Sequence, residues 1–217
     1  KTGYIGTVGS MIGDEMIPTK LTTPDPLEVQ ALLRHMLDKG AEYVVMEVSA
    51  HALAMDRLYG MRFAVGAFTN FSQDHLDYFG TMDAYLAAKM AFFSPEMTEK
   101  IVYNADDETA KEAFAALGRP ALSVGIREAS EVYANDIEIG ERGCSFMLTY
   151  HRHFRVAIAL KLAGIFNVYN ALLTAGVACA LGIDGEDIRR GLESVRNVPG
   201  RIELLETETP YRVILDY

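Results

Sequence analysis

Two short segments that are almost entirely apolar constrain the fold of this chain more than any other feature. Tyr43–Val48 contains a single acid, Glu47, and Phe63–Thr69 contains none. Apolar runs of this length without polar alternation are typical of strands buried on both faces of a parallel sheet. Parallel strands need crossover connections, which are usually helices. The chain is therefore predicted to alternate strands with helices.

The segment before the first apolar run predicts a helix with clear boundaries. Asp25 can cap it, Pro26 occupies the first helical position, and Glu28 completes a capping box. Apolar residues then follow at helical spacing until Gly40. Upstream, a strand pair is predicted from Tyr4 to Ile17, with a tight turn within Ile12–Glu15.

The remaining elements are predicted from the same signals. Helices are expected from Thr81 to Phe93, Asp107 to Leu117, Phe166 to Leu181 and Asp184 to Val195, and parallel-type strands at Lys100–Asn104 and Ala121–Val124. Three strand-like segments within 132–160 are separated by Gly140–Gly143 and His151–His153, as in an antiparallel meander. We therefore predict an α/β fold with a mostly parallel, three-layer Rossmann-like sheet flanked by helices. A small antiparallel annex at 132–160 belongs to the same domain, and the chain also ends in a strand pair.

Composition narrows the classes of partner. Thirty acids against twenty bases give a net charge of −10, which argues against sequence-independent binding of nucleic acid or anionic lipid. No apolar run approaches the length of a membrane span. Cys144 and Cys179 lack metal-type or disulfide-type spacing, so a reducing cytoplasm is the predicted compartment. The amino-terminal residues show no secretory signal and resemble the start of a strand within a fold.

Two polar clusters follow the apolar strands. Glu47 comes at the carboxyl end of the first, where open α/β sheets place ligands, and Asp74-His75-Leu76-Asp77 follows the second. Carboxylates and an imidazole suit Mg²⁺ or a phosphate site. Each cluster also has a structural interpretation: Glu47 as an acid at the edge of the core, and the Asp-rich loop as a turn or a helix cap.

Three further positions could carry chemistry. Lys89 has apolar neighbours, and burial would favour its neutral, nucleophilic amine, although its stem could equally run along the core with the amine in water. Asn167 and Asn170 share one helix face, where they could contact a base or cap the helix. Arg201, beside a Pro-Gly turn, suits a phosphate or a surface ion pair.

Six ordered motifs together resemble the Mur ligases, the ATP-dependent ligases of peptidoglycan synthesis. They extend over essentially the whole chain, and the match is to the branch that acts on UDP-N-acetylmuramoyl-dipeptide. The motifs are Leu21–Asp25, Met46–Leu53, Phe68–Asp77, Ala87–Lys89, Phe166–Leu172 and Val198–Arg201.

The resemblance implies a role for each matching residue. Glu47 and His75 would bind Mg²⁺, together with Lys89 as a carbamate formed with CO₂, whose two oxygens can hold a second magnesium ion. The substrate-binding positions would be Thr22, Thr23, Ser49 and Arg57. Those for ATP would be Asn167, Asn170, Arg201 and Asp216. Glu47, His75 and Lys89 would be the catalytic set.

The implied reaction is the ATP-driven addition of a diamino acid, meso-diaminopimelate or L-lysine, to UDP-MurNAc-L-Ala-D-Glu through an acyl phosphate. Residues 1–217 would be the family's central domain, truncated at both ends. The family's glycine-rich phosphate loop, amino-terminal domain and carboxyl-terminal domain are not in this sequence, so the fragment alone is expected to be inactive. Ala50 stands where many relatives carry a second serine, and Met55 stands where some carry a glutamine that contacts the substrate.

Three other functions stay open at this point. A folylpolyglutamate-type or cyanophycin-type ligase would share the ATP chemistry but differ in its acceptor, and Thr22–Asp25 disfavours it. A non-catalytic module could bind a UDP-sugar or partner a second subunit. A metal-dependent phosphohydrolase could be built on the Asp-rich loop. No nucleic-acid or membrane partner is predicted.

Overall fold

The computed structural model describes residues 1–127, 130–201, 203–205, 211 and 213–216, with the backbone alone at 203–205. They form two compact units. The first comprises Lys1–Phe63 and Gln73–Thr98, and the second comprises Ala64–Ser72 and Glu99–Tyr217. The prediction that residues 1–217 make one domain stays a prediction.

A four-stranded mixed sheet is the base of the first unit. Its strands are β1 (Thr2–Gly6), β2 (Gly9–Ile12), β3 (Glu15–Ile17) and β4 (Tyr43–Met46), in the order β3-β2-β1-β4. The pairs β1/β2 and β2/β3 are antiparallel, whereas β1 and β4 run parallel. The predicted turn at Gly13 is confirmed, with φ of +61°. A second turn at residues 7–8 divides the first strand of the pair predicted from Tyr4 to Ile17 into β1 and β2.

Four helices belong to the same unit: α1 (Pro26–Asp38), α2 (Ala50–Ala54), α3 (Leu76–Phe79) and α4 (Met82–Met90). Leu32 and Met36 of α1 pack on Ile5 and Ile12 of the sheet to form a small core. Pro26 opens α1 as predicted. The capping prediction for Asp25 was wrong: within the described residues its side chain makes no cap bond, and it pairs instead with Arg57 at 3.4 Å.

Strand β4 is more exposed than its sequence predicts. Tyr43 is 53% exposed and Val45 is 58% exposed, so burial on both faces was wrong for this strand. Its position explains the difference, because β4 lies last in the strand order and α1 packs over β1 and β2. The other apolar run, β5 (Phe63–Phe68), also has exposed positions at Ala64 and Ala67.

A six-stranded sheet is the base of the second unit, in the order β10-β9-β8-β7-β6-β5. After β5 its strands are β6 (Thr98–Asn104), β7 (Leu122–Gly125), β8 (Val132–Gly140), β9 (Gly143–Tyr150) and β10 (Phe154–Leu160). The pairs β6/β7 and β7/β8 are parallel. The pairs β8/β9 and β9/β10 are antiparallel, which confirms the predicted meander at 132–160.

Three helices and a hairpin complete this unit. They are α5 (Glu108–Leu117), α6 (Ile165–Ala180), α7 (Gly185–Ser194), and β11 (Glu203–Leu205) paired antiparallel with β12 (Val213–Leu215). Helix α6 lies very close to the sheet at Gly176, where a Cβ atom would come within 2.7 Å of Val102 and Val124. These two valines and Leu172 are completely buried and form the centre of the core.

None of the helices in the described part of the chain combines the length and apolarity that a membrane crossing needs.

Asp107 joins two segments of the second unit. One carboxylate oxygen accepts a hydrogen bond from the backbone N–H of Ala110 at 2.9 Å and thereby caps α5. The other accepts one from the N–H of Phe71 at 2.7 Å. The helix ends as predicted at Gly118, in the left-handed conformation.

We expect Asp107→Ala to lower the free energy of unfolding by about 2 kcal/mol, since it removes a helix cap and also the hydrogen bond from the Phe71 N–H. Asp107→Asn should cost less, because the amide oxygen can still cap α5. Urea denaturation of the purified protein measures both. The neighbouring Glu108→Ala is the control and should change stability by less than about 0.5 kcal/mol. Equal effects for all three variants would contradict this role of Asp107.

Candidate functional site

The carboxylate of Glu47 is held at the end of β4 by two hydroxyl groups. The Tyr4 hydroxyl donates a short hydrogen bond to one oxygen, and the Thr7 hydroxyl donates to the other at 2.6 Å. Gly6 permits this approach, because a Cβ there would collide with the Tyr4 hydroxyl and with Glu47. Burial and the adjacent Glu47 carboxylate raise the pKa of Tyr4, so the phenol remains a donor.

Thr23 fixes the loop before α1 to the segment after β4. Its hydroxyl donates to the Glu47 carbonyl at 2.8 Å and accepts from the Ser49 N–H at 2.9 Å. Thr23 is only 1% exposed, so this side chain binds the protein itself. Its neighbour Thr22 is partly exposed, and its hydroxyl lies 3.1 Å from that of Thr7.

Ser49 and Arg57 contribute to the same corner of the unit. The Ser49 hydroxyl caps α2 by accepting from the Ala52 N–H at 3.2 Å. Arg57 donates to the Thr23 carbonyl at 3.0 Å and pairs with Asp25 at 3.4 Å. Thr22 and Thr23 belong to the loop before α1, and Ser49 and Arg57 both make hydrogen bonds with Thr23 of that loop. The Arg57 side chain is largely buried.

His75 lies immediately before α3 in the left-handed conformation, with φ of +53°. Its N–H donates to Oδ1 of Asp74 at 2.8 Å, and its imidazole lies 3.4 Å from Oδ2 of the same residue. The ring of His51 on α2 meets that of His75 edge to face, with 4.6 Å between centroids. His51 also contacts Tyr78 and Phe79, so α2 supports the imidazole of His75.

Lys89 is partly buried on α4, and its amine lies 5.4 Å from the centroid of the Tyr85 ring. The Tyr85 ring also contacts His75, at a centroid distance of 5.8 Å, and Phe79, at 5.4 Å. Tyr85 is buried, and burial raises the pKa of its hydroxyl. This ring therefore brings the predicted histidine and lysine to the same part of the unit.

The donor types of Glu47, His75 and a carbamylated Lys89 suit Mg²⁺, and a magnesium site formed by the three residues together stays a prediction. No cluster of three His, Cys, Asp or Glu side chains suited to a metal occurs among the described residues. A site formed by the Asp74–Asp77 loop alone therefore has no support. Glu47 is exposed and His75 is partly exposed, so both donors are accessible. A carbamate on Lys89 would add an anionic ligand with two oxygens to Glu47 and His75.

Asn167 and Asn170 lie on the first turns of α6 in the second unit. The amide of Asn170 donates to Oδ1 of Asn167 at 3.3 Å, and the amide of Asn167 donates to the Ala163 carbonyl at 2.8 Å. Asn170 is exposed and Asn167 is partly exposed. The two amides therefore form a chain along one helix face, as their spacing predicts.

Arg201 and Asp216 are both exposed. The Arg201 backbone N–H donates to the Val198 carbonyl at 3.0 Å, which closes the predicted turn at Pro199-Gly200. Their predicted contacts with phosphate and ribose stay predictions.

The sequence analysis assigned no site role to several residues that support these positions. They are Tyr4, Thr7, His51, Tyr85, Asp106 and Tyr169. The Tyr169 hydroxyl donates to Asp106 at 3.1 Å. One signal could have found Asp106, since it follows the carboxyl end of a predicted strand, as Glu47 does. The tyrosines carry no such signal, because an isolated tyrosine is compatible with many environments.

Comparison with known proteins gives consistent results. The sequence-family model of the Mur ligase middle domain matches residues 1–178 of this chain. The enzyme named "UDP-N-acetylmuramoyl-L-alanyl-D-glutamate--2,6-diaminopimelate ligase" from Geobacillus thermodenitrificans is 41% identical over all of this chain and 46% of its own length. The ligase of the same name from Corynebacterium glutamicum is 40% identical and is covered over 43% of its length. The chain thus spans about half the length of the curated relatives it matches.

Solved structures show the same relationship. A ligase of that name superposes with a TM-score of 0.85 at 28% identity, over 95% of this chain and 43% of that chain. MurF from Acinetobacter baumannii superposes with a TM-score of 0.71 at 26% identity, over 88% of this chain and 42% of that chain. The predicted α/β fold is therefore confirmed, and the chain belongs to the Mur ligase family, of which it carries the middle domain.

Proposed function

We propose that this chain is the central part of an ATP-dependent ligase that adds a diamino acid to UDP-MurNAc-L-Ala-D-Glu. The observation that carries the proposal is identity of about 40% over the entire chain to ligases named for this substrate and for 2,6-diaminopimelate. Diaminopimelate is accordingly favoured over L-lysine as the incoming amino acid. The other domains would come from the same, longer chain.

The reaction joins a carboxylate to an amine. The glutamate carboxylate of the substrate attacks the γ-phosphorus of ATP, which breaks the bond to ADP and gives an acyl phosphate. The amine of the diamino acid then attacks the acyl carbon, phosphate leaves, and the nitrogen loses a proton. In such reactions the protein supplies mainly positioning and electrostatic stabilisation.

Glu47, His75 and carbamylated Lys89 are the proposed magnesium ligands. Bound Mg²⁺ would screen the negative charges that the carboxylate and the triphosphate bring together. For the carbamate, the neutral amine of Lys89 attacks CO₂, forms a nitrogen–carbon bond and releases one proton.

The contacts around the Thr22–Asp25 loop divide the proposed substrate residues into those that would contact the substrate and those that would hold the loop. Thr22 and Ser49 keep part of their surface accessible, whereas Thr23 is buried and Arg57 braces the loop. We assign direct contact with the muramoyl dipeptide to Thr22 and Ser49. Thr23 and Arg57 would hold the loop in position.

For the nucleotide, Asn167 and Asn170 are the proposed adenine contacts, Arg201 a phosphate contact and Asp216 a ribose contact. We also propose a cytoplasmic location, which the two free, buried cysteines support. No observation favours the folylpolyglutamate, cyanophycin or non-catalytic alternatives over the muramoyl-dipeptide ligase.

The central test is ligase activity of the intact protein as purified from its source. ATP consumption should require both UDP-MurNAc-L-Ala-D-Glu and diaminopimelate. Consumption of ATP with a folate or cyanophycin acceptor would favour another branch of the family. Binding of the muramoyl dipeptide without any turnover would contradict the catalytic proposal and support a binding module.

Lys89→Arg should reduce the rate of ligation by about a hundredfold or more, since the guanidinium keeps the positive charge but forms no carbamate. In the intact protein, ¹³C-bicarbonate should give a carbamate NMR signal that this variant lacks. Lys100→Arg is a matched control, because Lys100 is not a proposed ligand and its amine donates to the Ala180 carbonyl within the second unit. A carbamate signal that persists in Lys89→Arg would contradict the assignment.

Thr23→Val should affect stability, whereas Thr22→Val should affect substrate binding. Thr23→Val removes two buried hydrogen bonds and should lower the free energy of unfolding by about 1–3 kcal/mol. Thr22→Val should leave stability within about 0.5 kcal/mol of the original and raise KM for the muramoyl dipeptide. Thermal unfolding and steady-state kinetics of the intact protein measure the two effects. The reverse pattern would exchange the roles assigned to the two threonines.

A further inference from the structure

The carboxylate of Asp106 accepts hydrogen bonds from two parts of the second unit, the loop after β7 and helix α6. It accepts from the backbone N–H of Ile126 at 2.6 Å and from that of Arg127 at 3.0 and 3.1 Å, one distance to each oxygen. It also accepts from the Tyr169 hydroxyl at 3.1 Å. Each of these three groups donates its hydrogen bond to a carboxylate oxygen.

These contacts lie where open α/β sheets bind their ligands. Asp106 follows the carboxyl end of β6, and residues 126–127 follow that of the adjacent parallel strand β7. The packing is tight at Gly125, where a Cβ would lie 3.1 Å from the Asp106 carboxylate and 2.8 Å from the Ser130 hydroxyl. Asp106 thus connects two strand ends at the edge that such sheets offer to nucleotides.

Tyr169 extends this connection to the helix that carries the proposed adenine contacts. It lies between Asn167 and Asn170 on α6. Gly164, the residue before the helix, has no side chain that could cap it, and its φ is +96°. Burial and the Asp106 carboxylate raise the pKa of Tyr169 to about 12, so the phenol stays protonated and continues to donate at neutral pH.

A hydrogen bond at Tyr169 restrains the rotation of the helix about its axis. Successive residues of an α-helix differ by about 100° in direction, so one fixed side chain sets the directions of its neighbours. The apolar anchors of α6, such as Val168 and Leu172, are completely buried and hold the helix on the sheet. The Asp106–Tyr169 hydrogen bond adds a polar contact that fixes the first turns of the helix.

We propose that Asp106, acting through Tyr169, is a positioning residue for ATP: it holds the first turns of α6 so that Asn167 and Asn170 keep one orientation relative to the ends of β6 and β7. The inference rests on the proposed function, because the two asparagines are assigned to adenine there. Neither Asp106 nor Tyr169 needs to touch the nucleotide.

The test uses Tyr169→Phe in the intact protein, since this change removes only the hydroxyl. We expect KM for ATP, and the dissociation constant of a fluorescent ATP analogue, to rise about three- to tenfold, as loss of one charge-assisted hydrogen bond implies. The value of kcat and KM for the muramoyl dipeptide should change less than twofold. Tyr103→Phe is the control, because this tyrosine of β6 packs its ring on Phe114.

Asp106→Asn and the double variant complete a cycle. If the two residues act through one hydrogen bond, the double variant should bind the ATP analogue no more weakly than the weaker single variant. Additive losses would overturn the inference, as would an unchanged affinity in Tyr169→Phe. Equal weakening of ATP and muramoyl-dipeptide binding would reveal a general loss of structure and would also overturn it.

These outcomes are distinct from a failure of the proposed function. If the unsubstituted intact protein binds the muramoyl dipeptide but not ATP, the ligase proposal and this inference both fall. If it ligates normally and Tyr169→Phe has the ATP affinity of the unsubstituted protein, only the inference falls.

Discussion

The parallel pairing of β1 with β4 is the interaction on which the site of the first unit depends. In this register Ile5 lies opposite Met46, and the Glu47 N–H donates to the Ile5 carbonyl at 2.8 Å. Glu47 therefore emerges level with Gly6, where only a glycine leaves room for its carboxylate and the Tyr4 hydroxyl. Thr7, in the turn that follows, reaches the second oxygen. A shift of one residue in this pairing would send Glu47 to the opposite face and break all of these contacts.

In the second unit two adjacent aspartates after β6 have separate tasks. Asp107 caps α5 and accepts from the Phe71 N–H, while Asp106 accepts from the loop after β7 and from Tyr169 on α6. Both carboxylates accept hydrogen bonds from backbone N–H groups of other segments. In the proposed nucleotide site, the Asp106–Tyr169 hydrogen bond would also hold the helix that bears Asn167 and Asn170. Stability and nucleotide recognition would share these residues.

Local signals predicted α1, α4, α5, α6 and α7, but they gave no prediction for the short helices α2 and α3. Helix α5 has its cap at Asp107 and its stop at Gly118, and α4 is capped by Thr81, whose hydroxyl accepts from the Ala84 N–H. These signals act within one turn of the chain and need no tertiary context. Asp25 shows the limit of such reasoning, since it stands in the cap position of α1 but pairs with Arg57, a residue distant in sequence. Strand β4 shows another limit, because composition does not reveal which strand ends a sheet.

By itself the sequence determined the α/β class, the antiparallel meander at 132–160 and the family. Hydrophobic periodicity, helix caps and ordered motifs depend on residues that are close together in the chain. The sequence also supplied Glu47, His75 and Lys89 as candidates. Only the tertiary structure decided how such residues are supported: Tyr4 and Thr7 on Glu47, His51 on His75, and Asp106 on Tyr169. These pairs are separated by 24 to 63 positions. Strand register and helix packing bring them together, and no local pattern encodes either.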